Sequence, residues 1–189
     1  MGGLIRDDYV IRAIRADEWA SVKELRLDAL RDPVARVAFV ETYEEAVARP
    51  DGFYQERAAG SADEAGGARQ FVAVAPDGTW VGMLTVLMEE VGSTDWAGYL
   101  VERRQGHFVG VFVRPRHRGR GLVEALCAAG LQWAWEREAE RVRLLVHEDN
   151  GRARGAYRKV GFVPSGVTVG LAGSGDRELE LVIEGGPRG

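Results

Sequence analysis

The chain predicts an α/β fold of the mixed, α+β kind: a sheet of about seven strands, antiparallel in its N-terminal part, with a strand-helix-strand crossover and helices on both faces. Three observations lead there. Two β-rich runs, QFVAVA (70–75) and WVGMLTVLME (80–89), are joined only by the turn PDGT, which is a hairpin pattern. A third run, HFVGVFV (107–113), leads through an arginine- and glycine-rich turn into a long apolar helical segment. The run RVRLLVH (141–147) follows that segment, and a strand, helix and strand in this order close as a crossover on one sheet.

The elements follow in order. YVIRAI (9–14) alternates loosely and reads as the first strand. Asp17 can cap a helix over 18–31, whose apolar stripe is Trp19, Val22, Leu25 and Ala29. Between 32 and 59 the helical pieces YEEAVA and FYQERAA are separated by Pro33 and by Pro50-Asp51-Gly52, a turn signal. GSADEAGGA (60–68) is small, polar and aperiodic, so a mobile loop is expected. Pro115 ends the strand that closes at Val113, because proline cannot donate to a ladder. A helix is expected over 122–140, apolar around most of its circumference through Leu122, Val123, Leu126, Cys127, Leu131 and Trp135, and packed closely on the sheet. After the strand 141–147, Asn150 can cap a short helix that puts Ala153 and Tyr157 one turn apart and ends at Gly161. FVPSGVTVGL and ELELVIE form a last hairpin across AGSGDR. With no repeat and no linker, residues 1–189 read as a single domain, with 1–8 and 184–189 expected as flexible ends.

Composition narrows the function classes. Hydrophobic residues make up 46% of the chain and charged residues 29%, ordinary for a soluble protein. No apolar stretch approaches the ~20 residues a bilayer crossing needs. The N-terminus carries neither an apolar export segment nor a myristoylation pattern, so a cytoplasmic protein is expected. The single cysteine, Cys127, lies within the apolar helix and reads as a buried thiol. A net charge of −4 argues against a general nucleic-acid binder. Positive charge is local instead, and only Lys23 and Lys159 of the 25 basic residues are lysines, which leaves the planar arginine fork as the available anion ligand.

That local charge is densest in VFVRPRHRGRGLVEAL, residues 111–126. Between a strand ending at Val113 and a helix starting near Leu122, the first N–H groups of the helix have no intrahelical acceptor and carry fractional positive charge. Gly119 and Gly121 let backbone approach a ligand closely, so the turn reads as a phosphate cradle. It is not a P-loop, since no Gly-Lys-Ser/Thr follows, and its glycine spacing is not that of a dinucleotide fingerprint.

Together with LLVHEDNGRARGAYRKVGF (144–162), this turn resembles the two most diagnostic motifs of the Gcn5-related N-acetyltransferase (GNAT) superfamily, over roughly residues 107–163. An R-x-x-G-x-G pattern runs from Arg116 to Gly121. In the family's usual register, from Arg118, position 123 holds Val in place of Gly or Ala, which makes the approach more crowded. The resemblance implies acetyl-CoA as co-substrate, with no metal. Arg118, Gly119, Arg120, Gly121, Leu122 and Val123 would then surround its pyrophosphate, and the main chain of Phe112 and Val113 would bond the pantetheine arm. Asn150 would contact that arm or cap the facing helix, Ala153 would leave room for it, and Tyr157 would protonate the departing thiolate. A phenol's ordinary pKa of ~10 suits that last role.

The implied activity is direct acetyl transfer to a primary amine of a small molecule or peptide. An ammonium must lose a proton before it attacks, so a base is required. His107, at the start of the strand leading to the cradle, is the first candidate, with Glu41, Glu89 and Glu90 as alternatives. The alternative function is a non-catalytic acyl-CoA or nucleic-acid binding module that uses the arginine loop as an anchor. An exposed sheet edge would allow a homodimer.

Overall fold

The computed structural model describes residues 4–6, 8–95, 98–171 and 173–185. Eight strands form one sheet in the order β1-β2-β3-β4-β5-β6-β8-β7. They are β1 (Leu4–Arg6), β2 (Tyr9–Ala13), β3 (Ala68–Val74), β4 (Trp80–Glu89), β5 (Gln105–Val113), β6 (Arg141–His147), β7 (Val163–Gly170) and β8 (Arg177–Glu184). Every neighbouring pair is antiparallel except β5 and β6. That one parallel pair is the expected crossover, made through α4 (Leu122–Glu136). The mixed α/β class thus holds, with one strand more than expected: β1 doubles back on β2 through Asp8, which takes a positive φ of 70°. Of the ends expected to be flexible, residues 1–3, 7 and 186–189 lie outside the described residues.

The other helices are α1 (Trp19–Arg31), α2 (Tyr43–Ala48), α3 (Asp51–Ser61) and α5 (Gly151–Val160). A reciprocal capping box starts α2: Glu45 N–H donates to the Thr42 hydroxyl while the Thr42 N–H donates to Glu45 Oε2. Val22, Leu25 and Ala29 of α1 pack with Ala58 of α3 against Val72 and Met83 on one face of the sheet. On the opposite face α4 buries Leu122, Leu126, Cys127 and Ala134 against Leu84, Val86 and Phe108. The close approach of α4 has a specific cause at Gly130, where an added Cβ would stand 2.8 Å from the Phe108 ring.

Two expectations need correcting. The helix predicted over 122–140 stops at Glu136, because Glu138 turns into the left-handed region (φ 60°) and the Ala139 N–H donates back to the Ala134 carbonyl. The loop expected over 60–68 is shorter than its bounds, spanning 62–67: residues 60–61 end α3 and Ala68 opens β3. Its middle is held by the Asp63 N–H on the Ile14 carbonyl and by the Arg69 guanidinium on Asp63.

Candidate active site

A β-bulge shapes the site. Between β4 and β5 the register moves from Met83↔Phe112 to Thr85↔Val109, one extra residue on β5, with Gly110 at φ 64°. Strands β5 and β6 pair only from Gln105↔Arg141 to Phe108↔Leu144 and then separate. Among the described residues the β6-facing edge of β5 has no strand partner beyond Phe108, and a groove of about 1070 Å³ opens between the diverging strands. Backbone groups along such an edge need acceptors and donors from elsewhere.

At one end of the groove lies the turn 114–121. Gly119 and Gly121 take φ values of 74° and 72°, and Gly121 is the N-cap of α4 without any side-chain cap. The first bond into the helix is from the Ala125 N–H to the Gly121 carbonyl. Among the described residues, no backbone carbonyl or side chain accepts from the N–H groups of 119–124, and Gly119, Gly121, Leu122, Val123 and Glu124 all line the groove. Val123 is half-buried in the groove wall.

The arginines divide into two pairs. Arg114 Nε donates to the Trp80 carbonyl (2.8 Å) and its Nη1 pairs with Asp28, while Arg118 Nε donates to the Val113 carbonyl (2.9 Å) and its Nη2 pairs with Asp32. Burial would raise the Asp32 carboxyl, but the Val34 N–H and the Arg118 guanidinium outweigh it and hold it below the ordinary carboxylate range. Much of the charge that pointed to an external anion is therefore met by Asp28 of α1 and by Asp32, the residue that follows the helix. Arg116 and Arg120 are exposed, and Arg120 is outside the groove wall.

Phe112 and Val113 line the groove on the β5 side. Across from them, Asn150 Oδ1 accepts from the Ala153 N–H (3.2 Å) as the cap of α5, and Asn150, Ala153 and Tyr157 all face the groove. Tyr157 is 8% exposed, edge-on to Phe162 at 6.0 Å. Burial pushes its phenol well above the ordinary value, and the nearby Cys127 adds to the rise. Cys127 itself is fully buried, and burial with the Glu124 charge raises its thiol to about 12, so it stays neutral.

His107 also lines the groove, only 2% exposed, with Nδ1 2.9 Å from Glu89 Oε1. Arg143 grips the same carboxylate through Nε (3.1 Å) and Nη2 (2.9 Å) and also reaches Asp95 and Glu180. Burial would raise the Glu89 carboxyl, but the hydrogen bonds and charges of His107 and Arg143 overcome it and bring it to about 2. Glu89 is thus a fixed anion and a poor proton acceptor. In the neutral ring, a proton on Nδ1 satisfies that carboxylate and Nε2 is left as the acceptor atom. The other carboxylates are engaged as well: Glu41 with Arg26 (2.9 Å) and Arg49 (3.4 Å), Glu90 with Arg104 (3.1 Å). Glu178, which the sequence reading did not single out, stands in the groove wall with His107.

The family profile of the acetyltransferase (GNAT) family matches residues 20–162, and the chain belongs to that family. No curated protein sequence matches it. Among solved structures it is similar to a GCN5-related N-acetyltransferase from Kribbella flavida, at 18% identity over 94% of this chain and 98% of that one, with a TM-score of 0.68. PaiA N-acetyltransferase from Thermoplasma acidophilum, in complex with coenzyme A, superposes with a TM-score of 0.67 at 15% identity, covering 91% of this chain and 97% of that one. The ribosomal-protein-S5-alanine acetyltransferase from Vibrio fischeri gives 0.66 at 13% identity over 97% of each chain. Among the described residues no helix is long and apolar enough to cross a membrane.

Proposed function

We propose that the chain transfers the acetyl group of acetyl-CoA to a primary amine, with Tyr157 as the acid and His107 as the base. The observation that supports this most is the run of unclaimed N–H groups at 119–124, opening into the same groove as the unpaired edge of β5 and the Tyr157 side chain. These groups fit a diphosphate: backbone donors at a helix N-terminus favour an anion without any side-chain charge. Acetyl-CoA supplies the acetyl thioester. The chain's own residues do the rest. Amides 119–124 hold the anionic end, and the β5 edge with Phe112 and Val113 orients the arm that follows. His107 Nε2 takes a proton from the incoming ammonium, and Glu89 and Arg143 keep the ring in the tautomer this needs. Burial disfavours the phenolate and keeps Tyr157 protonated, so it would give its proton to the departing thiolate and regain one from the amine nitrogen, which sheds it as the amide forms.

The test starts with thermal shift. Ligand bound to the folded state stabilises it as RT ln(1 + [L]/Kd), so acetyl-CoA should raise the Tm, and thiol release with a panel of primary amines should follow. Stabilisation without thiol release from any amine would leave a non-catalytic acyl-CoA binding module.

A further inference from the structure

We propose that Glu178 is the carboxylate that receives the acceptor as an ammonium ion, so that the chain prefers cationic alkylamines to amines that are neutral at pH 7. The inference rests on the acetyltransferase reading above and deepens it. Residues directly opposite on neighbouring strands share a face. Arg143 is opposite both His107 and Val182, Leu145 is opposite Glu180, and His147 is opposite Glu178. His107, Leu145, His147 and Glu178 therefore share one face, the face that also carries Leu87 and Met83 and on which α1 packs. That helix cluster reaches as far as Phe112 on β5. Beyond it Leu87, His107, Leu145, His147 and Glu178 form one side of the groove.

On that face of the sheet the other acids are already paired; elsewhere in the groove Glu45 is engaged with Thr42 and Glu124 stands in the first turn of α4. Glu89 and Glu180 are paired to Arg143, and Glu41, on the opposite wall, lies between Arg26 and Arg49. Glu178 is half-buried, and its side chain makes no hydrogen bond or ion pair with any described residue. Its partner on β7 is the apolar Val169, and the charged or titratable groups facing it are His107 on β5 and His147 on β6. His147 is committed elsewhere, with Nδ1 accepting from the Asp149 N–H at 3.1 Å and Nε2 3.7 Å from Asp176. Burial raises the Glu178 carboxyl, and the two histidines only partly oppose the rise. A buried anion short of partners is costly, and an ammonium ion beside it supplies the missing charge and donors. His107, oriented by Glu89, then lies on the same face to take the proton.

The experiment measures KM and kcat for primary alkylamines and for size-matched anilines, by thiol release, in the wild type, E178Q and E178D. Expected for E178Q is a rise in alkylamine KM of roughly 10- to 100-fold, the range of a lost charged hydrogen bond. Its kcat, its acetyl-CoA affinity and its aniline KM should stay within about threefold of wild type, and E178D should keep the alkylamine preference. In the wild type, alkylamine KM should rise relative to aniline KM as pH falls and Glu178 protonates. An alkylamine-to-aniline KM ratio unchanged in E178Q overturns this assignment alone. Wild-type protein that binds acetyl-CoA but acetylates no amine overturns the transferase reading and the assignment with it. Should E178Q fail to bind acetyl-CoA, the wild-type ratio decides: a ratio flat from about pH 8 to about pH 4.5 overturns the proposal.

Discussion

Replacing Glu89 with Gln removes the negative charge between His107 and Arg143, and the structure sets how large and how pH-dependent the loss should be. The carboxyl is held at about 2 against an ordinary value of 4.5. Its folded pKa is depressed, so the stabilisation is fully present above the unfolded value and disappears as pH falls from about 4.5 towards about 2. A depression of about 2.5 pKa units corresponds to about 3 kcal/mol at neutral pH. Little solvent discount applies, because the Glu89 side chain is 11% exposed and Arg143 is 6% exposed. Arg143 keeps Asp95 and Glu180 in the variant, so its own charge is not stranded. Urea unfolding of wild type and E89Q across a pH series reads the difference directly, and the other carboxylates cancel to first order. The two curves should be separated by about 3 kcal/mol at pH 7 and converge by about pH 2. A separation that stays constant down to the acid end would refute the electrostatic account of this clamp.

Further outcomes follow from the groove. Tyr157→Phe should lower kcat by roughly 10²- to 10⁴-fold, the span of a lost general acid, while acetyl-CoA still raises the Tm; equal kcat in both proteins would remove Tyr157 from the chemistry. Gly121→Ala places a Cβ at φ 72°, a conformation that costs non-glycine residues about 1–2 kcal/mol, so stability and acetyl-CoA affinity should fall together in melting and calorimetric titration. Gly130→Ala puts a methyl 2.8 Å from Phe108 Cζ and should destabilise by about 1–3 kcal/mol through overpacking, with acetyl-CoA affinity at 25 °C unchanged by the same titration.

Much of the fold was legible because its signals are local. The hairpin of β3 and β4, the apolar helix α4 and the Asn150 and Gly161 punctuation of α5 each rest on patterns a few residues long. The end of α4 was not legible, since Glu138 gives no composition signal for a left-handed φ. β1 was missed because three residues are too short to show alternation. In the site, the turn and its glycines could be read directly, but the partners of its arginines could not. Arg114 meets Asp28 and Arg118 meets Asp32 across 86 positions of chain, and nothing along the sequence announces that distance. Glu178 was overlooked for a similar reason: its place opposite His147 comes from the order β6-β8-β7, in which the last strand inserts between two earlier ones.

The two arginine tethers at Asp28 and Asp32 have a mechanical result. They fasten the turn 114–121 to the end of α1, and from that end the chain runs directly into residues 34–53, many of which wall the other mouth of the cleft. The two substrates of a transferase built this way meet walls hung from a common bracket, so slack introduced at Asp32 is felt at both ends of the cleft at once.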